Sequence, residues 1–417
     1  MSSLSSFRKS GHLPTLLSAF LYFDVSFMIW VILGPLGSFI GDAYKLSASQ
    51  KGFLTAVPLL GGSFFRLILG WTTERFGARR TALTGLALTL VPLLLGWKFA
   101  HSYWNFLGTG VLLGVAGASF AAALPLASSW YPAEHQGLAM GIAGAGNSGT
   151  LLATLFAPRL AQALGWRSVF AIAGVPVILV GVFFFLMAKD GPGVRLQRKW
   201  RDYAEVFKIA DTGWFCFLYS LTFGGFSGFA SYLSIFFRDQ YHVSKIQAGD
   251  LTTIVVIFGS FLRPIGGMLA DRIGGHRLLM VLFSVAVLSL CVIATLPMTA
   301  IAVGFFALLM AMLGMGNGSI FQLVPQRFAG HVGVMTGLVG AAGGFGGFML
   351  PSLLGVVKDR TGTFTTGFIV ISVLFSCGFG ALVLLKNIWR RTWPAQAAER
   401  AGLFTISPVT VTAYAGK

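Results

Sequence analysis

Apolar runs of about 20 residues or more, cut by short polar or Gly/Pro loops, recur along the whole chain, and each is long enough for one helix to cross a bilayer. Six come first: Pro14 to Ile40, Gly52 to Trp71, Thr81 to Phe99, Trp104 to Ala127, Leu138 to Leu164 and Val169 to Met187. Six more follow: Trp214 to Phe237, Leu251 to Leu269, Leu278 to Leu296, Ala300 to Phe321, Val334 to Val356 and Phe364 to Leu385. Between the sets stands KDGPGVRLQRKWRDYAEVFK, Lys189 to Lys208, a basic stretch that cannot sit in lipid and reads as an amphipathic linker. The pattern predicts an all-α membrane protein of 12 transmembrane helices. Its units are an N-terminal half over 1–188, a cytoplasmic linker over 189–211, a C-terminal half over 212–389 and a cytoplasmic tail over 390–417. The tail from Ala395 onward has no strong period and reads as disordered.

Composition agrees with a bilayer as the solvent. Hydrophobic residues make up 55% of the chain and charged residues 10%, where soluble domains carry roughly a quarter charged. A net charge of +17 would suit a nucleic-acid binder if the basic residues shared one face, but here they lie in short loops between apolar runs. Counted over alternate loops from an inside N-terminus, about 19 Lys/Arg fall on that side, about 9 on the other and about 2 within the membrane. Both termini are therefore expected in the cytoplasm, with the chain in the cell (inner) membrane. Cys216, Cys291 and Cys377 stand inside apolar runs with no C-x-x-C spacing, so neither a disulfide framework nor a zinc site is expected. The first apolar run is too long for a signal h-region and reads as a retained helix.

The two halves echo each other. Arg66 in GGSFFRLILGW and Arg263 in GSFLRPIGG stand the same distance into matching runs, 197 residues apart. Glu74 and Arg75 before Gly77, and Asp271 and Arg272 before Gly274, repeat at that offset and read as conformational-switch loops, whose charges pair neighbouring helices at the cytoplasmic side. Here the chain resembles the major facilitator superfamily, whose loop signature is nearly complete in the second copy and looser in the first. The resemblance implies two pseudo-symmetric six-helix bundles with alternating access to a central site.

An arginine at mid-bilayer costs roughly 2.5 to 3.5 kcal/mol on insertion scales, so two of them need a reason. Gly62 and Gly70 flank Arg66 four residues either way, and Gly259 and Gly267 flank Arg263, so each guanidinium rises from a strip without bulk. Pairing each with a carboxylate fails on supply, because Asp24 is the one acid clearly central in any run. A ligand anion is the better reading. The planar fork of arginine matches a flat, oxygen-bearing anion bidentately, which the point charge of lysine does not; nitrate, nitrite, carboxylate and bicarbonate qualify.

GLAMGIAGAGNSGT, Gly137 to Thr150, holds a literal G-x-G-x-x-G from Gly144 to Gly149, but no strand precedes it, and a dinucleotide role is dropped. Its counterpart GVMTGLVGAAGGFGGF, Gly333 to Phe348, gives each half one helix with a glycine face. The plain reading is small-residue packing; a sharper one adds that bare backbone, Gly144 included, and Asn147 lie at the substrate. This paired signature resembles the nitrate/nitrite porter family. That resemblance implies an anion held between Arg66 and Arg263 by Asn147 and Tyr219, with Phe27, Phe120 and Phe223 as aromatic rings above and below.

Asp24, mid-run in LYFDVSFMIW, is either a static counter-ion for an arginine or a proton carrier whose occupancy depends on whether the anion is bound. Porters of that family without an acid near the site behave as exchangers, so an acid here points to proton-coupled nitrate uptake. The alternatives are nitrate/nitrite exchange and facilitation of a small carboxylate. His12, His101, His135, His242, His276 and His331 fall in loops or at helix ends and suggest no relay or metal cluster, while Asn317 and Gln322 add polar groups to the tenth run. The partners expected are nitrate or nitrite, protons and lipid, with no nucleic acid, metal or cofactor, and the chain is expected to be a monomer. A receptor lacks an appended domain here, and an enzyme lacks a nucleophile constellation or phosphate loop, so no catalytic role is expected.

Overall fold

A computed structural model describes residue 7 and residues 10–191, 205–328 and 330–404. Residues 192–204 of the linker and 405–417 of the tail lie outside the described residues. Among the described residues twelve long helical spans occur in order: α1 (Leu13–Tyr44), α2 (Ala48–Phe76), α3 (Ala78–Lys98), α4 (Tyr103–Ser128), α5 (Ala133–Gly144 and Gly149–Leu164, joined by the 3-10 turn Ala145–Ser148) and α6 (Trp166–Met187). Then come α7 (Asp211–Tyr241), α8 (Lys245–Ile273), α9 (Gly275–Ala294), α10 (Thr299–Arg327), α11 (Val332–Thr361) and α12 (Thr365–Thr392). Ten of these are long and apolar enough to cross a membrane by length and composition. The others are α5, split by its turn, and α7, whose Gly, Ser and Tyr are tolerated because the helix is buried in protein along nearly its whole length.

Backbone features repeat at the offset of the arginines. Left-handed or positive-φ residues pair as Lys45 with His242, Gly77 with Gly274 and Gly165 with Gly362, each ending a helix at the equivalent place in its half. Gly77 and Gly274, at φ 95° and 90°, turn the chain sharply between α2 and α3 and between α8 and α9, where only glycine is unstrained. Reciprocal capping boxes start α2 (Ser47 with Gln50) and α8 (Ser244 with Gln247), satisfying backbone donors at each helix start.

Four spans are interrupted near their middles. α1 turns at Val31 and Ile32, α4 at Ala118 and Ser119, α5 at Ala145–Ser148 and α8 at Leu262. Pro264 accounts for the last, since it lacks an N–H and favours the first turn of a new helix. Glycine accounts for the break in α5: a Cβ on Gly149 would stand 1.8 Å from the Asp24 carbonyl oxygen, so the turn can press against α1 only bare.

The halves meet through α2 with α11 and α5 with α8. Gly52, Gly344 and Gly355 bring α2 and α11 into backbone contact, and Thr154 meets Thr253 across α5 and α8 at 2.7 Å. One end of the molecule, that of the α1–α2 and α7–α8 loops, is closed by ions. Lys51 of α2 pairs with Asp239 of α7 at 2.8 Å, and Lys245 of α8 pairs with Asp42 of α1 at 2.5 Å; the two acids occupy equivalent positions in the halves. Arg159 adds a two-pronged pair with Asp250. Asp359 of α11 accepts from the backbone amides of Ala48 and Ser49 and from the Ser47 hydroxyl, and so caps α2 from the opposite half.

At the other end, the expectation of a disordered tail from Ala395 is corrected for the described part. Residues Ala395–Arg400 form a short helix, α13, and the chain to Phe404 folds back on the C-terminal half. Buried Ala397, Ala398, Ala401 and Leu403 hold it there, apolar positions too few for a helical period to show in sequence. The His276 amide donates to Ala401 O, and Arg390 and Arg277 donate to Leu403 O and Phe404 O. Asp211, assigned to the linker by sequence, opens α7 and is buried; its oxygens accept from Trp389 Nε1 (2.8 Å), Trp393 Nε1 (3.2 Å) and Arg327.

Asp211→Ala strands those donors and is expected to destabilise the protein by about 3 kcal/mol, read as a lower thermal midpoint in detergent. The double variant Asp42→Lys, Asp239→Lys sets like charges face to face. Spin labels at Leu46 and Val243 are then expected to move apart, and an unchanged distance distribution would show that these pairs do not hold the end closed.

Candidate anion-binding site

Arg66 and Arg263 both point inward, 2% and 9% exposed, from α2 and α8 of opposite halves. Among the described residues, the groups that meet their charges are not carboxylates. Arg66 is held by backbone carbonyls instead: Nε donates to Gly117 O at 3.0 Å and Nη1 to Gly340 O at 2.6 Å. The first acceptor exists because α4 breaks there, its Ala121 amide bonding Ala118 O in place of the carbonyl one turn back. The second lies in the other half, on the glycine face of α11, so Arg66 bonds across the interface between bundles.

Aromatic rings surround the charges. The Arg66 guanidinium carbon lies 5.1 Å from the Trp30 ring, 4.8 Å from Phe223 and 5.9 Å from Phe120. That of Arg263 lies 5.5 Å from Phe120 and 5.8 Å from Phe321, so Phe120 serves both. Desolvated contacts of this kind stabilise a cation by up to about 2 kcal/mol. Tyr219 stacks on Phe223 with centroids 5.2 Å apart and meets Phe321, the ring under Arg263, edge to face. Both rings lie against Gly343, where a Cβ would come within 2.7 Å of Tyr219.

Several polar atoms here are buried without a protein partner: Arg263 Nη1 and both side-chain atoms of Asn147. Such atoms are costly in a low-dielectric interior unless a ligand meets them. Asn147 sits in the 3-10 turn of α5, which contacts α8, the helix of Arg263. Of the sequence candidates, Arg66, Arg263, Tyr219, Phe120 and Phe223 thus form one chain of contacts through shared rings. Phe27 is buried one ring away, touching Phe23, Trp30 and Phe223. Gly144, also buried, has Leu124 as the neighbour a side chain would meet.

Among the described residues, Asp24 forms no ion pair with either arginine. Its Oδ1 accepts from the Ser148 hydroxyl at 2.6 Å. The acid therefore holds the turn that carries Asn147. At the switch loops, Arg75 lies over Trp71 and Phe76, while Glu74 sits at the end of α2 and Asp271 and Arg272 are exposed. Residues just beyond tie these loops to the sixth and twelfth spans: Arg79 donates to Phe185 O and Ala188 O, and His276 bonds Leu382 O at the equivalent place.

Sequence reasoning missed Trp30, Phe321 and the two carbonyls. Trp30 follows Phe27 by three residues and so shares its face, a detectable signal; the acceptors depend on a helix break and a cross-bundle contact and leave none.

The sequence matches the model of the Major Facilitator Superfamily over residues 16–351. It is 34% identical over 358 residues to the nitrite extrusion protein of Bacillus subtilis, covering 85% of this chain and 89% of that one. With the probable nitrate/nitrite transporter NarK2 of Mycobacterium tuberculosis it shares 31% over 371 residues, 86% of this chain and 93% of the other. Among solved structures, a D-xylose–proton symporter superposes with a TM-score of 0.70 at 16% identity, covering 93% of this chain and 98% of that one. With twelve spans built as two matching sets and relatives that align over most of its length, the chain belongs to the nitrate/nitrite porter family of the Major Facilitator Superfamily.

Proposed function

We propose that this protein is a secondary transporter that carries nitrate, and also nitrite, across the cell membrane by alternating access. The observation that carries the reading is the pair of buried guanidiniums, one from each bundle, stabilised by rings and carbonyls and, among the described residues, left without a carboxylate. Two relatives named for nitrate or nitrite movement support it. Positive charge without an anion repels across the interface and opposes closure of the bundles. A planar oxyanion between the two forks removes that repulsion and lets the loaded carrier reorient.

Charge in the loops orients the chain with both termini in the cytoplasm. The end closed by Lys51–Asp239 and Lys245–Asp42 is then the external one. Uptake into the cell coupled to protons is favoured over exchange because Asp24 holds the turn of Asn147 through Ser148. Protonation there weakens a charge-assisted bond and shifts a site residue without adding a group to the site.

Arg66→Lys keeps the charge and loses the fork and its two carbonyl bonds. Nitrate uptake into proteoliposomes is expected to fall by roughly ten- to a hundredfold, and unaltered uptake would exclude a planar-anion grip. For coupling, an inward proton gradient is expected to drive nitrate uptake into anion-free vesicles, faster as external pH falls. Asp24→Asn is expected to abolish that stimulation while sparing nitrate–nitrite exchange; uptake indifferent to the gradient in the unsubstituted protein would leave exchange as the mechanism.

A further inference from the structure

Asn317 of α10 is fully buried, and neither atom of its amide has a protein partner. It is an uncharged polar group in the C-terminal half, on a helix from which the site so far takes one aromatic ring. Helix register shows where it faces. Gly314 and Gly318 pack on α8, where Cβ atoms would stand 2.2 Å from Gly259 O and 2.4 Å from Arg263 O. Leu313 and Gly316 pack on α7, against Gly225 and Thr222. On a 3.6-residue wheel Asn317 falls between these two faces, one turn before Phe321, whose ring meets Tyr219 and Phe120 and lies under the Arg263 guanidinium.

Internal symmetry leads to the same place. Asn317 stands 197 residues after Phe120, the offset that relates Arg66 to Arg263, and Phe120 is the ring shared by both guanidiniums. The N-terminal half thus presents an apolar face at this position and the C-terminal half an amide. Leaving an amide dry inside a membrane protein is costly, whereas leucine of similar size would fill the same space at no such cost.

We infer that Asn317 is a specificity-determining residue, whose amide N–H donates to the third oxygen of a trigonal oxyanion held between Arg66 and Arg263. This rests on the anion site proposed above. Nitrate carries three oxygens in one plane and needs donors around its whole rim. Nitrite, bent and with two, gains less from a donor on the third side, so Asn317 favours nitrate over nitrite.

The test is thermal-shift titration of the purified, detergent-solubilised protein with sodium nitrate and sodium nitrite, for the unsubstituted chain, Asn317→Leu and Asn317→Ser. Asn317→Leu is expected to weaken nitrate binding by about tenfold or more, and nitrite binding clearly less. Its anion-free thermal midpoint is expected to equal or exceed that of the unsubstituted protein, because a stranded amide has been removed. Asn317→Ser, with a shorter donor, is expected to lose nitrate preference in the same direction and decides the matter if the leucine variant does not fold. Equal losses for the two anions, an unchanged nitrate affinity, or a lower anion-free midpoint in both variants would overturn the inference while leaving the two-arginine site standing. Absence of any shift in the unsubstituted protein would overturn both.

Discussion

Two like charges buried in a low-dielectric interior set the terms for the rest of this molecule. Guanidinium groups are more weakly hydrated than ammonium and accept the faces of aromatic rings, which is why the protein can hold them there at all. What offsets the burial of Arg66 is a broken helix on one side and a glycine-faced helix of the other bundle on the other, with Trp30 and Phe223 against its planar face. Arg263 is less completely met: two rings attend it, and its Nη1 is buried without a protein partner. That inequality matters chemically, since a site whose donors were all satisfied by protein would have nothing to offer an anion.

The interruptions of α1, α4, α5 and α8 belong to the same account. In lipid, irregular backbone is tolerated where it is enclosed by protein, and here it lies next to the charges. Three of these breaks release backbone groups or re-aim a side chain: Gly117 O toward Arg66, the Asn147 turn toward α8, Arg263 itself at the start of a new helical segment. Glycine and proline, weak points in a soluble helix, supply the irregularity needed.

The two ends of the molecule are held in different ways. One is closed between bundles by ion pairs and a helix cap that crosses from α11 to α2, interactions in partly exposed surroundings that can be exchanged for water at small net cost. At the other end, bonds run within a bundle: Asp211 gathers α7, α10 and α12, and α13 covers the turn at Gly274. Stiff bundles with an exchangeable contact between them suit a transporter that rocks about a central site.

Hydropathy alone determined the twelve spans and the division into halves, because a bilayer imposes a length and an apolar content on every crossing segment. The two arginines and their offset were also legible, since an ionisable residue in an apolar run has few explanations. Tertiary structure decided the rest. Asp24 was readable as a buried acid, yet its partner proved to be the Ser148 turn rather than an arginine, because the packing of α1 against α5 is set by glycines far away in sequence. Phe27 and Trp30 share a face, and only the approach of Gly62 and Gly117 put the indole, not the phenyl ring, on Arg66. Asp211 and the segment after Ala395 looked like linker and tail, for a single acid and a handful of small residues carry no period; burial against three helix ends gave them a place. Contacts between segments hundreds of residues apart leave no local trace, and the site is made of such contacts.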